Sequence, residues 1–240
     1  MKGTIVIIPT FNEIENIEAI IRAVFSQSPY IHILIVDDNS PDLTAVKVKE
    51  LQKEFPDRLF LENRKAKSGL GTAYIHGFKW CLKKSYKFIF EMDADFSHDP
   101  KDLEHLYNAC YVEGADMSIG SRYINGVNVV NWPMGRVLMS YLASKYVRII
   151  TGMKIHDTTA GYVCYKRETL EALNLDKIKF VGYAFQIEMK YKTYLKKLKI
   201  VEVPVIFTDR TKGESKLSSG IISEAIFGVI SMRLNSLFKK

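Results

Sequence analysis

Short apolar runs alternate with amphipathic segments through the first half of the chain. The apolar runs occupy residues 4–9, 32–38, 58–63, 87–93 and 116–122, and the amphipathic segments occupy 13–26, 42–55, 71–84 and 100–113. The apolar runs are typical of buried strands, and the amphipathic segments are typical of helices. Their alternation predicts an α/β fold with a Rossmann-like, mostly parallel sheet flanked by helices.

The second half of the chain changes character, because its polar segments are longer and its strands fewer. The pattern predicts, in chain order, a helix within 131–152, a polar loop that leads into a short strand over 156–168, a helix over 184–197, a strand over 200–207 and a polar loop over 209–216. No internal repeat, low-complexity tract or linker interrupts the sequence. We therefore expect a single domain over residues 1–240.

Two segments have the pattern of amphipathic helices with basic flanks, one within 131–152 and one over 219–240. Their apolar stripes consist of Leu138, Leu142, Tyr146 and Ile149–Ile150 in the first, and Ile222, Ile226, Val229–Ile230, Leu234 and Leu237 in the second. A helix that packs on the core has the same pattern as one that lies in a membrane interface. The basic flanks of both helices favour the interfacial arrangement.

Polar clusters follow four of the predicted strands. They are Pro9–Glu13, Asp37–Ser40, Asp93–Asp95 and Gly120–Arg122. Any one of them fits a helix cap or a turn. In an open parallel sheet, however, the carboxyl ends of the strands share one edge, and ligands bind there. Four clusters at that edge predict a binding site built from acids, amides and one arginine.

Composition narrows the partners and the location of the protein. The formal net charge is +7, which suggests anionic partners such as phosphates, nucleic acid or an acidic membrane face. The three cysteines, Cys81, Cys110 and Cys164, form no CxxC pair, as expected for reduced thiols in a cytosolic protein. No signal peptide or membrane-spanning run is evident. We expect a cytoplasmic protein that associates peripherally with the cytoplasmic membrane face, and no nucleic-acid partner, because no platform of stacking aromatic residues is evident.

The stretch EMDADFSHDP crowds Asp93, Asp95 and Asp99 into seven residues after a buried strand. Carboxylates this close raise one another's pKa unless a cation lies between them. A D-x-D pair at a strand end fits Mg²⁺ or Mn²⁺, which bind one or two carboxylates together with substrate phosphates. The pair therefore predicts a nucleotide diphosphate ligand. His98 is expected to begin the next helix and not to bind the metal.

The chain lacks GxxxxGK[ST] and a strand-linked GxGxxG, which disfavours a P-loop NTPase and a dehydrogenase.

A set of short motifs resembles family 2 glycosyltransferases, and among them the dolichyl- or polyprenyl-phosphate mannosyltransferases. In chain order the motifs are VIIPTFNE, IVDDNSPD, GLGTA, EMDADFSHDP, GSRY, NWPMGR, DTTAGY and RTKGESK, which together cover about residues 4–218. The resemblance implies a GT-A fold, inverting transfer from a nucleotide sugar, and a divalent metal. It divides the domain into a nucleotide-binding half (1–123), an acceptor and sugar half (124–218) and a C-terminal amphipathic helix (219–240).

The resemblance also implies roles for individual residues. Nucleotide-sugar contacts fall on Pro9, Phe11, Glu13, Val36, Asp38, Asp93, Ala94 and Lys216, and the metal on Asp93 and Asp95. Acceptor-phosphate contacts fall on Arg122, Arg136 and Ser140. The residues expected to act in catalysis are Asp95, Arg122, Asp157 and Arg210, with Arg210 and Lys216 on a mobile basic loop.

This chain departs from the family pattern at two positions. Ser97 stands where many relatives have Gln, and Ala160 stands where the family motif has Ser. A hydroxyl role at position 160 is therefore in doubt. Asp157 is expected to orient the acceptor or an arginine, with loop capping as the alternative.

The expected reaction moves mannose from GDP-mannose to polyprenyl or dolichyl phosphate. A lipid monophosphate is already nucleophilic near neutral pH, so catalysis needs charge stabilisation more than a strong base. Three alternatives stay open: a UDP-glucose or other UDP-sugar donor, a non-lipid acceptor, and a non-catalytic nucleotide-sugar-binding subunit. Residence at a membrane would be transient or would need a membrane-spanning partner subunit.

Overall fold

The computed structural model describes residues 1–182, 184–209 and 219–238, and within the last range the side chains of 226–237. Seven strands form one sheet in the order β3-β2-β1-β4-β7-β5-β8. The strands of this sheet are β1 (Thr4–Thr10), β2 (Ile31–Asp37), β3 (Leu59–Asn63), β4 (Phe88–Glu91), β5 (Met117–Ser121), β7 (Val163–Lys166) and β8 (Ile200–Pro204). Two further strands, β6 (Val129–Val130) and β9 (Phe207–Thr208), form a small parallel pair.

All neighbours in the large sheet are parallel except at β7. That strand is antiparallel to both β4 and β5 and lies between them. The prediction of a mostly parallel sheet is confirmed. The reversal of β7 has one consequence for the site. The loop before β7, residues 157–161, reaches the same edge of the sheet as the carboxyl ends of β1, β4 and β5.

Helices cover both faces of the sheet, as the alternating pattern predicts. They are α1 (Ile17–Gln27), α2 (Thr44–Leu51), α3 (Leu70–Leu82), α4 (Leu103–Tyr111), α5 (Met134–Thr151), α6 (Arg167–Ala172), α7 (Ala184–Leu195) and α8 (Ser219–Phe238). Alternate side chains of β1 enter two separate cores. Ile5 and Ile7 pack with residues of α3 and α7, whereas Val6 and Ile8 pack with residues of α1 and α4.

The predicted strand over 200–207 is two strands in the structure. β8 ends at Pro204, and the last bond to β5 is donated by Val205 N–H to the carbonyl of Ser121 at 3.1 Å. The chain then crosses to β6, where Phe207 N–H donates to the carbonyl of Asn128 at 3.0 Å. This pairing holds the segments after β5 and β8 together beside the edge of the sheet at which the strands end.

Helices α5 and α8 pack side by side, and α8 also packs on α7. Tyr146 Oη donates to the carbonyl of Ile226 at 3.0 Å, and the hydroxyls of Tyr191 and Ser236 are 2.7 Å apart. Much of the apolar surface of the α5–α8 pair is exposed, including Met134, Leu138, Ile149, Phe227 and Leu234. None of the helices, in the part of the chain that the structure describes, is long and apolar enough to cross a bilayer. An interfacial position for the two helices stays a prediction, as does the functional division at residues 123 and 218.

Candidate active site

A cavity of about 510 Å³ lies at the edge of the sheet where β4 and β5 end. Charged and polar side chains of the strand-end loops line part of it, among them Asp93 and Arg122. Helices α5 and α8 line the rest with apolar side chains, including Met139, Leu142 and Ile226. The cavity therefore combines a charged lining with an apolar one.

Asp93 and Asp95 follow β4 in a tight turn. The backbone N–H of Asp93 donates to Nδ1 of His98 at 3.1 Å, and the N–H of Ser97 donates to Oδ1 of Asp95 at 3.0 Å. Phe96 has a positive φ of 61°, an uncommon conformation for a bulky residue. Asp93 lines the cavity, and Asp95 lies two residues further along the same turn.

These residues fit a divalent metal bound together with a substrate phosphate. Within the described ranges, no group of three or more His, Cys, Asp and Glu side chains forms a complete protein cage. Mg²⁺ and Mn²⁺ do not need one, since they take oxygen ligands from one or two carboxylates, substrate and water. Ser97 Oγ is buried next to Asp95, without a hydrogen-bond partner among the described residues. A water or phosphate bound here would satisfy it.

Asp99, the third acid of the stretch, has a structural task. Its Oδ1 accepts the N–H of Lys101 at 3.0 Å and caps the short 3₁₀ turn over 100–102. Capping of this kind stabilises the start of the helical segment that leads into α4. Asp93 and Asp95 are therefore the two acids left to hold a metal, and this role stays a prediction.

Arg122 and Asp157 form a buried bidentate ion pair. Nε and Nη2 of Arg122 each lie 2.7 Å from a carboxylate oxygen of Asp157, and the backbone N–H of Arg122 donates to the same group at 3.0 Å. Burial disfavours the Asp157 carboxylate, but Arg122 outweighs it and holds the pKa of Asp157 below its ordinary value. Asp157 thus orients the arginine, one of the two roles that the sequence analysis considered.

Glu202 supports this pair from β8, and the sequence analysis missed it. One carboxylate oxygen accepts Ser121 Oγ and the N–H of Asp157, and the other accepts the N–H and Nδ1 of His156. Glu202 therefore fixes the end of β5 and the loop before β7 to each other. Its signal in the sequence was a single acid inside the apolar run IVEVPVIF.

Arg136 and Ser140 lie on the first turns of α5 and line the cavity with Arg122. Arg136 donates to Asp209 at 2.9 Å, and its guanidinium carbon lies 4.0 Å from the centre of the Trp132 ring. The structure thus brings together the three residues predicted to contact the acceptor phosphate. Trp132 packs on Arg136, and Pro133 immediately precedes α5, so the two residues lie at the entry to the helix.

The residues predicted to contact the nucleotide lie at the ends of β1 and β2. Asp37 is buried and accepts hydrogen bonds from Thr10 and Ser40, so it ties the two strand ends together. Asp38 forms a bidentate pair with Arg64, with distances of 2.5 and 2.7 Å, and the sequence analysis missed Arg64. An acid already paired with Arg64 must share or exchange that partner to bind a ligand.

The other residues that are predicted to contact the nucleotide differ in how far they are buried. Phe11 packs under Lys67, whose Nζ lies 4.7 Å from the ring centre. Val36 is fully buried in the core between β1 and β3. Pro9 and Glu13 are half-buried, and Ala94 is buried beside the metal motif. These contacts stay predictions. Arg210 and Lys216 lie outside the described residues.

A buried polar cluster under the cavity was also missed. Glu91 accepts hydrogen bonds from Tyr165 and Gln186, and Lys190 Nζ donates to the carbonyl of Ala160 at 2.6 Å and to Gln186. Burial raises the pKa of Glu91 and lowers the pKa of Lys190, and each charge partly restores the other. Lys190 thereby holds the backbone of the loop at Ala160, where the family motif has Ser.

Comparison with known proteins identifies the family to which the chain belongs. Residues 5–173 match the model of the family described as "Glycosyl transferase family 2", so the chain belongs to that family. The architecture agrees with that of glucosyl-3-phosphoglycerate synthase from Mycobacterium tuberculosis crystallised with Mn²⁺, UDP and glucosyl-3-phosphoglycerate. The TM-score is 0.72 at 18% identity, and the match covers 98% of this chain and 80% of that one. At that identity the likeness shows the GT-A fold alone.

Three individual relatives show which members of the family the chain resembles. The chain is 46% identical over 228 residues to the polyprenol monophosphomannose synthase of Mycolicibacterium smegmatis, covering 95% of this chain and 86% of the relative. It is 44% identical to the undecaprenyl-phosphate mannosyltransferase of Micrococcus luteus, covering 93% and 90%. It is 37% identical to the dolichol-phosphate mannosyltransferase of Pyrococcus furiosus, covering 91% and 60%. The family prediction is confirmed.

Proposed function

We propose that this chain transfers mannose from GDP-mannose to a polyprenyl or dolichyl phosphate, with inversion at the sugar carbon and a divalent metal, Mg²⁺ or Mn²⁺. The names of the relatives at 37–46% identity support this assignment. The observation that carries it is the cavity, because its lining joins Asp93, Arg122 and Arg136 to apolar side chains of α5 and α8. A phosphate attached to a long hydrocarbon needs both linings.

Asp93 and Asp95 would hold the metal, which supplies charge neutralisation for the departing nucleoside diphosphate. Arg122 and Arg136 would hold the acceptor phosphate and bring its oxygen to the sugar. The ion pair with Asp157 fixes the Arg122 guanidinium before substrate arrives, so little reorganisation is needed in the transition state. The acceptor needs no strong base, because its second pKa is about 6.

The exposed apolar residues of α5 and α8 suggest how a lipid acceptor arrives. Met134 at one end of α5 and Ile149 near the other are 79% and 72% exposed, and Phe227 of α8 is 72% exposed. Such a face, next to a cavity that holds phosphate, suits a helix pair lying in a membrane interface. We propose peripheral association with the cytoplasmic membrane face on this basis, either directly or through a membrane-spanning partner subunit.

The test is transfer of labelled sugar into an organic phase. Purified protein is incubated with Mg²⁺, a short polyprenyl phosphate, and either labelled GDP-mannose or labelled UDP-glucose. We expect lipid-linked label from GDP-mannose alone. Label from UDP-glucose alone would overturn the donor assignment. Hydrolysis of GDP-mannose without any lipid product would overturn the acceptor assignment.

A further inference from the structure

His98 lines the cavity yet has no part in the chemistry described so far. It is only 4% exposed and stacks on Tyr162, with ring centres 4.7 Å apart and planes 15° apart. Phe207 packs against it at a near-perpendicular angle of 79°, with ring centres 5.6 Å apart. These two contacts hold the imidazole in one orientation.

Hydrogen bonding determines which ring nitrogen carries the proton. A backbone N–H can only donate, so the bond from Asp93 N–H makes Nδ1 of His98 an acceptor. The proton of the neutral ring is therefore on Nε2. Within residues 1–182, 184–209 and 219–238, Nε2 has no hydrogen-bond partner.

The position of His98 in the cavity suggests which part of the substrate contacts Nε2. The backbone N–H of Asp93 in the metal motif donates to His98, and His98 and Arg122 both pack against the ring of Phe207, at 5.6 and 5.5 Å from its centre. Under the proposed function, the diphosphate binds at Asp93 and the acceptor phosphate at Arg122. The sugar must lie between them, because it leaves one phosphate and joins the other.

We propose that His98 is a sugar-binding residue, whose Nε2–H donates a hydrogen bond to a hydroxyl of the sugar being transferred. This inference rests on the proposed function and deepens it. A neutral imidazole suits a neutral hydroxyl, whereas the metal and the arginines serve the phosphates. Nε2 is not among the fully buried side-chain atoms that lack a partner, and His98 lines the cavity, so its donor is open to a ligand there.

Two substitutions separate the tasks of the two ring nitrogens. His98→Asn places an amide oxygen near the Nδ1 position, so it can still accept the Asp93 N–H, but it removes the Nε2 donor. His98→Gln places an amide N–H near the Nε2 position but removes the Nδ1 acceptor. His105→Asn, on the exposed side of α4, is the matched control. Dissociation constants for GDP and GDP-mannose are measured by calorimetry with Mn²⁺ present, and thermal unfolding checks the fold.

We expect His98→Asn to weaken GDP-mannose binding about tenfold and to leave GDP binding unchanged. His98→Gln should weaken both ligands by similar factors, because it disturbs the metal motif and keeps the sugar contact. His105→Asn should change neither. If His98→Asn weakens the binding of GDP and of GDP-mannose equally, Nε2 contacts the diphosphate. If it changes the binding of neither ligand, Nε2 contacts neither the diphosphate nor the sugar. Either result overturns the proposal.

Two further outcomes remain decisive. If His98→Asn does not fold, His98→Gln decides, and a change in its relative affinity for GDP-mannose and GDP overturns the proposal. If the wild-type chain transfers another sugar, only the donor assignment fails. The binding experiment is then repeated with that sugar nucleotide in place of GDP-mannose and with its nucleoside diphosphate in place of GDP. A wild-type chain that transfers no sugar overturns the proposed function and this inference together.

Discussion

The buried pair of Arg122 and Asp157 allows a quantitative prediction. Asp157 is fully buried and Arg122 is 7% exposed, so Asp157→Asn leaves an unpaired arginine charge with little access to water. It also replaces an acceptor of three N–H bonds by an amide whose NH₂ faces donors. Removing one partner of a buried pair costs about 3–5 kcal/mol. That is a large part of the 5–15 kcal/mol typical of a native domain.

The assay is equilibrium unfolding in urea, followed by circular dichroism, with a double-mutant cycle. We expect Asp157→Asn and Arg122→Met each to lower the free energy of unfolding by about 3–5 kcal/mol. For a chain of this length the melting temperature falls by roughly 6–20 °C. The double variant leaves no unpaired buried charge, so it should lose roughly 3 kcal/mol less than the sum of the single losses.

The pair of Arg136 and Asp209 is the matched control. Both side chains are about a quarter exposed, so Asp209→Asn should cost no more than about 1 kcal/mol. Additive losses in the cycle at Arg122 and Asp157 would refute the claim that the two charges depend on each other. A loss from Asp209→Asn as large as that from Asp157→Asn would refute the argument from burial.

Four further predictions concern metal, acceptor, pH and membrane. Asp95→Ala should reduce mannose transfer at least about a hundredfold, whereas the lost hydrogen bond from Ser97 N–H should lower the melting temperature by only roughly 2–6 °C; substantial remaining activity would contradict the metal assignment. Arg136→Ala should raise the KM for polyprenyl phosphate by about 10–100-fold and leave the KM for the sugar nucleotide unchanged, because a charged hydrogen bond contributes about 1.5–3 kcal/mol; equal effects on both would contradict its role. Because the pKa of Asp157 is lowered, its carboxylate stabilises the fold above the unfolded-state pKa near 3.8, and this stabilisation is lost as pH falls through the lower folded-state value. Urea titrations from pH 7 to 3 should therefore show a steeper loss in the wild type than in Asp157→Asn, and parallel curves would contradict the shift. Ile149→Glu on α5 should weaken binding to anionic vesicles roughly tenfold, and unchanged sedimentation with vesicles would contradict an interfacial α5.

Hydrophobic alternation predicts most of the sheet because each of the four strands before β5 is followed by an amphipathic segment. It does not predict the direction of β7, whose four residues take their orientation from β4 and β5. The pair of β6 and β9 is also missed. Each of these strands has two residues, too few for a period-two pattern, and the pairing joins segments nearly eighty positions apart.

Within the site, the sequence places polar residues such as Asp93 and Arg122 at the strand ends, but it does not reveal the residues that support them. Asp93 and Arg122 follow apolar runs, where the edge of a parallel sheet exposes polar groups. Arg64, Glu202 and Lys190 act on residues 26 or more positions away. Lys190 lies among polar residues of α7 and reads as a solvated lysine, although the structure buries it completely.

The reversed strand β7 matters while the protein is being synthesised. β4 leaves the ribosome early, but its neighbour in the sheet, residues 163–166, follows about seventy residues later. Until then the backbone N–H and C=O groups on one edge of Phe88–Glu91 have no neighbouring strand to bond. Nascent chains aggregate through unpaired strand edges of this kind. A truncated product that stops at residue 123 keeps that open edge permanently. We therefore expect such a fragment to depend on chaperones, whereas the full-length chain covers the edge itself.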